Sequence, residues 1–349
     1  MNQTPPTETS ADDLQTAGDA APPSGGPAAD SRWLHRLSLL SVLLVWPLIW
    51  VGGLVTTYDA GMAVPDWPGT YGYNLFLYPL STWLYGPFDL FIEHGHRLLG
   101  AVVGLVAIGM VVAAVVERSR RWVRWLTVGI LLAVISQGVL GGIRVLLGDR
   151  TFAMIHGCFG PLVFALCCIA AVVTSRTWWQ RRRAVSATPK PLANWVVVVA
   201  VLPVLLSYLQ LVLGAQLRHV QPATTPRTFT LIVAVHIVTA CVLWLLTPIL
   251  FVLVRRCGDL TLSRPAGWLI LFVGTQILLG TGSWIVNYGW PSVLDFLPFG
   301  EGFLVRSKGF LDSIIVTAHV AVGSLILATS AVVLVQTLRQ KYLVAHESN

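Results

Sequence analysis

Four histidines recur at matching positions of long apolar segments. Each lies a turn or two inside the same end of every second predicted helix. They are His96, His156, His236 and His319. A neutral imidazole without a partner in hydrocarbon costs roughly 1–3 kcal/mol, so four at one depth need partners. Haem iron is such a partner, because it takes imidazoles as axial ligands. The pattern therefore predicts a haem-binding membrane protein.

A small residue follows each of these histidines after four positions. The four are Gly100, Gly160, Ala240 and Gly323. Positions i and i+4 share a helix face, so a flat macrocycle held by the histidine would lie against the small residue. A bulky side chain there would collide with it. We therefore expect these residues to face the porphyrin.

Long helices must place the histidines at one depth. The 349 residues are 55% hydrophobic and 11% charged, with a mean hydropathy of +0.72. This composition excludes an ordinary soluble domain and is typical of a polytopic membrane protein. Apolar runs near the roughly 20 residues that cross a bilayer predict an all-α fold with eight transmembrane helices. They lie at 37–57, 91–116, 122–147, 152–174, 193–217, 228–254, 266–288 and 311–336.

The odd-numbered predicted helices share a signature in which Gln precedes Gly by four residues. It reads QGVLGGIR at 137–144, QLVLGAQLR at 210–218 and QILLGTGSW at 276–284, while VGGLVTTYDAG at 51–61 lacks the Gln. Each odd helix leads to an even helix with one histidine, which predicts two pseudo-symmetric four-helix bundles. Alternatively, the Gly and Gln residues serve close packing and hydrogen bonding between membrane helices.

The repeat and the flanking composition divide the chain into five predicted parts. Residues 31–174 form the N-terminal half and residues 195–340 the C-terminal half. A disordered N-terminal tail at 1–30, a cytoplasmic linker at 175–194 and a C-terminal tail at 341–349 complete the chain.

The basic residues indicate the orientation. Sixteen of the 23 Lys and Arg residues lie on one side of the predicted helices. The positive-inside rule therefore places both termini in the cytoplasm. We expect the membrane to be a bacterial plasma membrane. The outer segments are then 58–90, 148–151, 218–227 and 289–310. The net charge of +7 follows from this topology, so it does not indicate a nucleic-acid partner.

Four arginines depart from this bias and lie at or near outer helix ends. They are Arg97, Arg144, Arg218 and Arg306. Haem propionates are anionic and would point to the outer surface, so these arginines are candidate propionate partners through charge-assisted hydrogen bonds. Alternatively, each is an interfacial anchor.

The chain resembles the haem A synthase family, eight-helix membrane enzymes that make haem A for cytochrome oxidases. The resemblance covers essentially 37–336, and its most specific piece joins Glu93, His96 and Arg97 in EHGHR. The other matching pieces are GGLVTTYDAG at 52–61, Trp67-Pro68, LGGIR at 140–144, IHG at 155–157, His236 and His319.

The resemblance implies that the C8 methyl of haem O is oxidised to a formyl group. The N-terminal half would bind the substrate haem O through His96 and His156, and the C-terminal half would hold haem b through His236 and His319. Because a bis-histidine haem has no open iron position, the substrate site either loses a ligand in turnover or oxidises by a less direct route. The implied partners are haem O, haem O synthase, oxidase assembly factors and membrane lipid, and the electron donor stays open.

Within that resemblance, Glu93 is the candidate catalytic residue. It precedes His96 by three residues on the same helix face. A carboxylate there could accept a proton or stabilise a carbocation formed as the methyl is oxidised. Alternatively, it is an acid near a helix N-terminus that meets the macrodipole.

The sequence departs from the family at two places. Several bacterial members have a cysteine pair in the first outer loop, whereas MAVPDWPGTYG at 62–72 contains none, so no redox role carries over. His94 stands where an aromatic is usual and could compete with His96 as ligand. We favour His96, because Gly100 follows it after four residues whereas Leu98 follows His94.

Two other functions would use the same histidines. A diheme b-type electron-transfer membrane protein needs all four but not Glu93. A non-catalytic haem carrier or oxidase assembly factor needs no chemistry on the haem. Only the enzyme makes haem A, so extracted haems distinguish the three.

Overall fold

A computed structural model describes residues 32–179, 193–256, 258–296, 304–305 and 309–347. Within these residues the fold is nearly all helical, without a β-strand, and eight helices are long and apolar enough to cross a membrane. They are α1 (Arg32–Thr57), α2 (Phe88–Val116), α3 (Arg121–Leu147), α4 (Arg150–Val173), α5 (Asn194–Arg218), α6 (Pro226–Arg255), α7 (Leu260–Tyr288) and α8 (Phe310–Glu347). The predicted all-α class with eight membrane-crossing helices is confirmed. The predicted tail at 1–30, most of the linker and Arg306 lie outside the described residues.

Local capping explains where several helices begin. The Asp149 side chain accepts hydrogen bonds from the first backbone amides of α4, and Asp259 does the same for α7. Short acceptor side chains at the N-cap satisfy amides that have no partner within the helix. Because of the Asp259 cap, α7 begins at Leu260 and includes the charged turn around Arg264, six residues before the predicted start.

The helices pack in two closed cycles. Each of α1 to α4 contacts the next, and α4 returns to α1; α5 to α8 repeat this arrangement. Helices α2 and α4 therefore face each other diagonally in the first cycle, as α6 and α8 do in the second. Further contacts join α8 to α1 and α4, and α4 to α5. The pseudo-symmetry of the halves and their exact boundaries stay predictions.

Helix α8 is the most buried of the eight. Leu327, Ala328 and Ala331 pack into a cluster otherwise built mainly from the first four helices. Ile326 and Val333 pack into a second cluster built from α5, α6 and α7. This helix therefore contributes to the cores of both halves.

Candidate functional site

The structure brings the four histidines together as two pairs. His96 on α2 faces His156 on α4, with ring centroids 6.3 Å apart and planes 81° apart. His236 on α6 faces His319 on α8, with centroids 6.4 Å apart and planes 58° apart. Each pair joins diagonal helices, so it spans the interior of its four-helix cycle.

The spacing of each pair fits two axial ligands of one iron. A metal–imidazole bond is about 2 Å long and the coordinating nitrogen lies about 1 Å from the ring centroid, so two imidazoles on opposite sides of an iron have centroids roughly 6 Å apart. The four Nδ1 atoms are buried and have no hydrogen-bond partner within the described part of the chain. Those same residues contain no group of three or more His, Cys, Asp or Glu side chains placed to hold a metal ion. The pairs match the ligand number that bis-histidine haem requires.

A glycine of the preceding odd helix lies against each histidine ring. A Cβ added at Gly52 would lie 2.8 Å from Cε1 of His96, and one added at Gly141 would lie 3.2 Å from Cε1 of His156. The corresponding distances are 3.4 Å from Gly214 to His236 and 3.0 Å from Gly280 to His319. These four glycines, which we call the seat glycines, let the rings approach the neighbouring backbone.

The repeated glutamines lie beside three of the four histidines. Gln137 donates to the backbone carbonyl of His156 at 3.1 Å, and Gln210 donates to that of His236 at 2.5 Å. The amide nitrogen of Gln276 lies 3.4 Å from Nε2 of His319. The glutamines therefore hydrogen-bond to the ligand segments across helices, as one of the two interpretations of the repeat expects.

Two of the small residues four positions after the histidines lie against a glutamine of the neighbouring helix, and that they face a porphyrin stays a prediction. A Cβ at Gly160 would lie 3.0 Å from the Gln137 amide, and one at Gly323 would lie 3.2 Å from the Gln276 amide. These glycines make room for the glutamine of the neighbouring helix. A Cβ at Gly100 would meet nothing within 4 Å, so the structure leaves open space beside this residue.

His94 is directed to a different environment from His96. Its Nδ1 lies 2.9 Å from the Thr70 hydroxyl, and its ring packs against Tyr78 and Trp83 with centroids 5.0 and 5.2 Å away. Among the ring contacts of the described residues, His156 pairs with His96 and not with His94. This geometry favours His96 over His94 as the ligand.

Glu93 and Arg97 connect α2 to the segment that follows α1. Glu93 accepts one hydrogen bond from Arg97 at 2.8 Å and another from the backbone amide of Val64 at 2.9 Å. Arg97 also donates to the carbonyls of Val64, Asp66 and Gly69 at 2.6, 2.6 and 2.7 Å. The carboxylate and the guanidinium therefore hold residues 64–70 over this end of the helices.

The segment at 64–73, which we call the capping segment, is also ordered internally. The carboxylate of Asp66 accepts hydrogen bonds from the amides of Tyr71 and Gly72 at 2.7 and 2.9 Å. Burial raises the pKa of Asp66, but these hydrogen bonds and the charge of Arg97 outweigh it, so the pKa lies below its usual value. The Trp67 ring packs on α3, where a Cβ at Gly142 would lie 2.5 Å from Cδ2. The sequence reasoning missed this segment, because its partners are distant in the chain.

The predicted propionate partners gather at the same end. Nη2 of Arg144 lies 3.4 Å from the carbonyl of Gly61. Arg218 donates to the carbonyl of Gly53 at 2.7 Å and to the Thr57 hydroxyl. Nearby, burial and the charges of Arg218, Arg144 and Arg150 lower the pKa of His219 to about 4. Arg144 and Arg218 thus lie among other basic groups. Arg97 is hydrogen-bonded to the capping segment, and Arg306 lies outside the described residues.

The fold and the paired histidines define a polytopic membrane protein with two candidate haem sites. A family profile described as cytochrome oxidase assembly protein, COX15-CtaA, matches residues 35–234, more than half of the chain. The chain therefore belongs to the COX15-CtaA family of cytochrome oxidase assembly proteins, which confirms the resemblance found in the sequence. Haem binding is implied by this membership.

Relatives named heme A synthase have modest identity with the chain. The protein of Listeria monocytogenes is 30% identical over 154 residues, 43% of this chain and 46% of the relative. That of Shouchella clausii is 27% identical over 192 residues, 54% of this chain and 60% of the relative. That of Hyphomonas neptunium is 27% identical over 151 residues, 36% of this chain and 40% of the relative. The chain spans about half the length of the relatives it matches.

Proposed function

We propose that this protein is a haem A synthase, which oxidises the C8 methyl of haem O to a formyl group and supplies haem A to cytochrome oxidase. One observation carries the proposal: two histidine pairs have the spacing of axial ligands, and only one has a carboxylate a turn away. Two equivalent electron-transfer haems would not require that difference. The names of the relatives support the same activity.

In this proposal the N-terminal half binds the substrate. His96 and His156 hold haem O, and Arg144 pairs with a propionate. Glu93 accepts a proton or offsets positive charge that develops at the substrate carbon. Its hydrogen bonds to Arg97 and to the Val64 amide orient the carboxylate, so its position is set before the substrate binds.

The C-terminal half holds the resident cofactor. His236 and His319 are the ligands of haem b, with Arg218 and Arg306 as its propionate partners. Haem b, when bound, supplies one-electron transfer to the substrate site. The chain holds the first ligand in place through Gln210, which bonds to the His236 carbonyl, and places Gln276 beside His319.

We further propose a bacterial plasma membrane location with both termini cytoplasmic. Reporter fusions after Arg124, Arg183 and Arg256 should then report cytoplasm. Fusions near Gly69 and Phe299 should report the outer side. The 16-to-7 division of basic residues supports this orientation, and an inverted reporter pattern would overturn it.

The decisive experiment is extraction of haems from membranes that contain this protein together with a haem O source. Chromatography should show haem A, and a His156→Ala variant expressed to the same level should show none. A diheme electron-transfer protein or a haem carrier would leave the haem O unconverted, and the extract would contain no haem A. That result would remove the proposed activity.

A further inference from the structure

Three of the four seat glycines have a glutamine four residues before them in the chain, and the fourth does not. In α3, α5 and α7 the glutamines are Gln137, Gln210 and Gln276. In α1 the residue four positions before Gly52 is Leu48. His96 therefore has a seat glycine without the accompanying amide, although its ring approaches that glycine most closely of the four.

The missing amide changes how the ligand segment is held. Gln137 donates to the His156 carbonyl, and this approach is possible because Gly160 has no side chain. The equivalent position on α2 is Gly100, where an added Cβ would meet nothing within 4 Å. The space for an amide thus exists on α2 one turn after His96, but the corresponding residue of α1, Leu48, has no amide.

The segment around His96 is held from its outer end instead. Glu93, His94 and Arg97 flank the ligand, and all three bond to the capping segment. A displacement of that segment would act on the turn of α2 that carries His96. His156 has no such connection among the described hydrogen bonds, and its segment is tied directly to α3.

We propose that His96 is the exchangeable axial ligand of the N-terminal site, controlled by the capping segment, whereas His156 remains attached. This rests on the proposed function only in taking the N-terminal pair as haem ligands. A substrate that enters and leaves needs a ligand that dissociates readily, and a resident cofactor does not. The ligand without an interhelical amide is the one best suited to dissociate. Leu48 and the capping segment are then positioning elements.

The test exchanges the residue types at Leu48 and Gln137, which lie four positions before two of the seat glycines, and measures carbon monoxide binding. Carbon monoxide binds reduced bis-histidine haem only after one ligand has dissociated, so its binding rate in stopped-flow reports that dissociation. Protein purified from membranes containing haem O is reduced with dithionite and mixed with carbon monoxide. Leu48→Gln should slow the N-terminal phase by about fivefold, the effect of one added hydrogen bond. Leu48→Met, an apolar change of similar volume, should keep the wild-type rate.

The reciprocal variant and a variant of the capping network complete the test. Gln137→Leu should leave the rate of the N-terminal phase at the wild-type value or raise it only slightly, because dissociation of His96 already determines that rate. Arg97→Gln, which removes the bonds to the capping segment, should raise the rate several-fold. The haem b spectrum of the C-terminal pair in the same sample verifies folding of each variant.

The outcomes separate this proposal from the proposed function. If Leu48→Gln leaves the rate unchanged while Gln137→Leu raises it about fivefold or more, His156 is the exchangeable ligand and the proposal is wrong. If neither the Leu48 nor the Arg97 change alters the rate, the capping segment does not control His96. A protein that makes no haem A but shows the Leu48→Gln effect removes the enzyme activity and retains the exchangeable ligand.

Discussion

The two histidine pairs have nearly the same spacing and different surroundings. Their ring centroids are 6.3 and 6.4 Å apart, yet the planes differ by 81° in the N-terminal pair and 58° in the C-terminal pair. Glu93 precedes His96 by three residues, whereas the same position before the other histidines is occupied by apolar residues. Those are Ala153, Val233 and Val316.

The difference teaches how one scaffold can serve two tasks. The common part is a glycine seat on an odd helix and a histidine on the next helix. What distinguishes the N-terminal pair lies outside that repeat: an ion pair, a capping segment and the absence of one glutamine. In the proposed function, the repeat holds the iron ligands of both haems, and the residues added at one end distinguish the site of an exchanging substrate from that of a fixed cofactor.

The largest expected effect is the loss of haem b when either histidine of the C-terminal pair is replaced. Replacing His236 or His319 with Ala should remove the low-spin haem b spectrum, because the site loses one of two axial ligands. Since altering groups that merely support a metal ligand costs about 10–100-fold in affinity, loss of a ligand itself should exceed that. Absorption spectra of purified protein measure it. A full bis-histidine spectrum in both variants would contradict the assignment of haem b to this pair.

A change at Glu93 should separate chemistry from cofactor binding. Glu93→Gln should lower haem A formation by about 10²–10⁴-fold, the usual contribution of a general acid or base, and leave the haem b spectrum intact. Asp89→Asn, an acidic residue in the first turn of the same helix, is the matched control and should stay near wild type. Chromatography of extracted haems gives the result. Normal haem A from Glu93→Gln would assign that carboxylate a structural role only.

Substitutions of the seat glycines should rank by the closeness of the ring. At Gly52 the added Cβ would lie 2.8 Å from His96, so Ala there must displace the ring and should lower haem occupancy of that pair about tenfold. At Gly214 the distance to His236 is 3.4 Å, an ordinary contact, and the loss should be small. Gly138→Ala on α3, which meets nothing within 4 Å, is the control. Equal losses at Gly52 and Gly138 would show that the seats are not specific.

The smallest expected effect concerns the capping segment, which only the N-terminal pair is described to have. Asp66→Asn should speed hydrogen exchange of the Tyr71 and Gly72 amides a few-fold at neutral pH, because both donate to the carboxylate. The pKa of Asp66 is lowered, so its stabilisation is complete above the ordinary Asp pKa and is lost as the pH falls through the lower folded value. The difference between variant and wild type should therefore begin to shrink only below about pH 4 and should vanish below the lower folded pKa. A difference that keeps its full neutral-pH size at pH 2 would contradict this.

Much of the fold was predictable because it depends on local pattern. Apolar length predicted the eight helices, and the fourfold recurrence of histidine and a small residue predicted haem ligation, while the pairing of the histidines came from the family resemblance. Helix starts set by a cap, such as Asp259 before α7, fell outside the apolar runs and were placed too late. Hydropathy detects the apolar run that crosses the membrane and does not detect a polar turn that extends the helix beyond this run.

The immediate surroundings of the histidines were less predictable. The glycine four residues after His156 was expected to face a porphyrin, and the structure places Gln137 against it, a contact that the helix face alone did not predict. A helix-face argument identifies which residues share a side and cannot say which neighbour covers that side. The bonds of Arg97 to Asp66 and Gly69 depend on the path of a loop, which has no periodic signal. The assignment of ligands to particular haems stays a prediction.

The central position of α8 has a consequence for how the chain is made. This helix is translated after the other seven, yet it is the most buried and contacts α1, α4, α5 and α7. Its Ala321 carbonyl accepts a hydrogen bond from Trp46 of α1, the helix farthest from it along the described chain. While the earlier helices insert, the faces that await α8 must be covered by lipid or by membrane insertion factors. The C-terminal pair, which includes His319 of α8, is therefore incomplete until α8 has been synthesised and packed, so haem loading of that pair follows the insertion of α8.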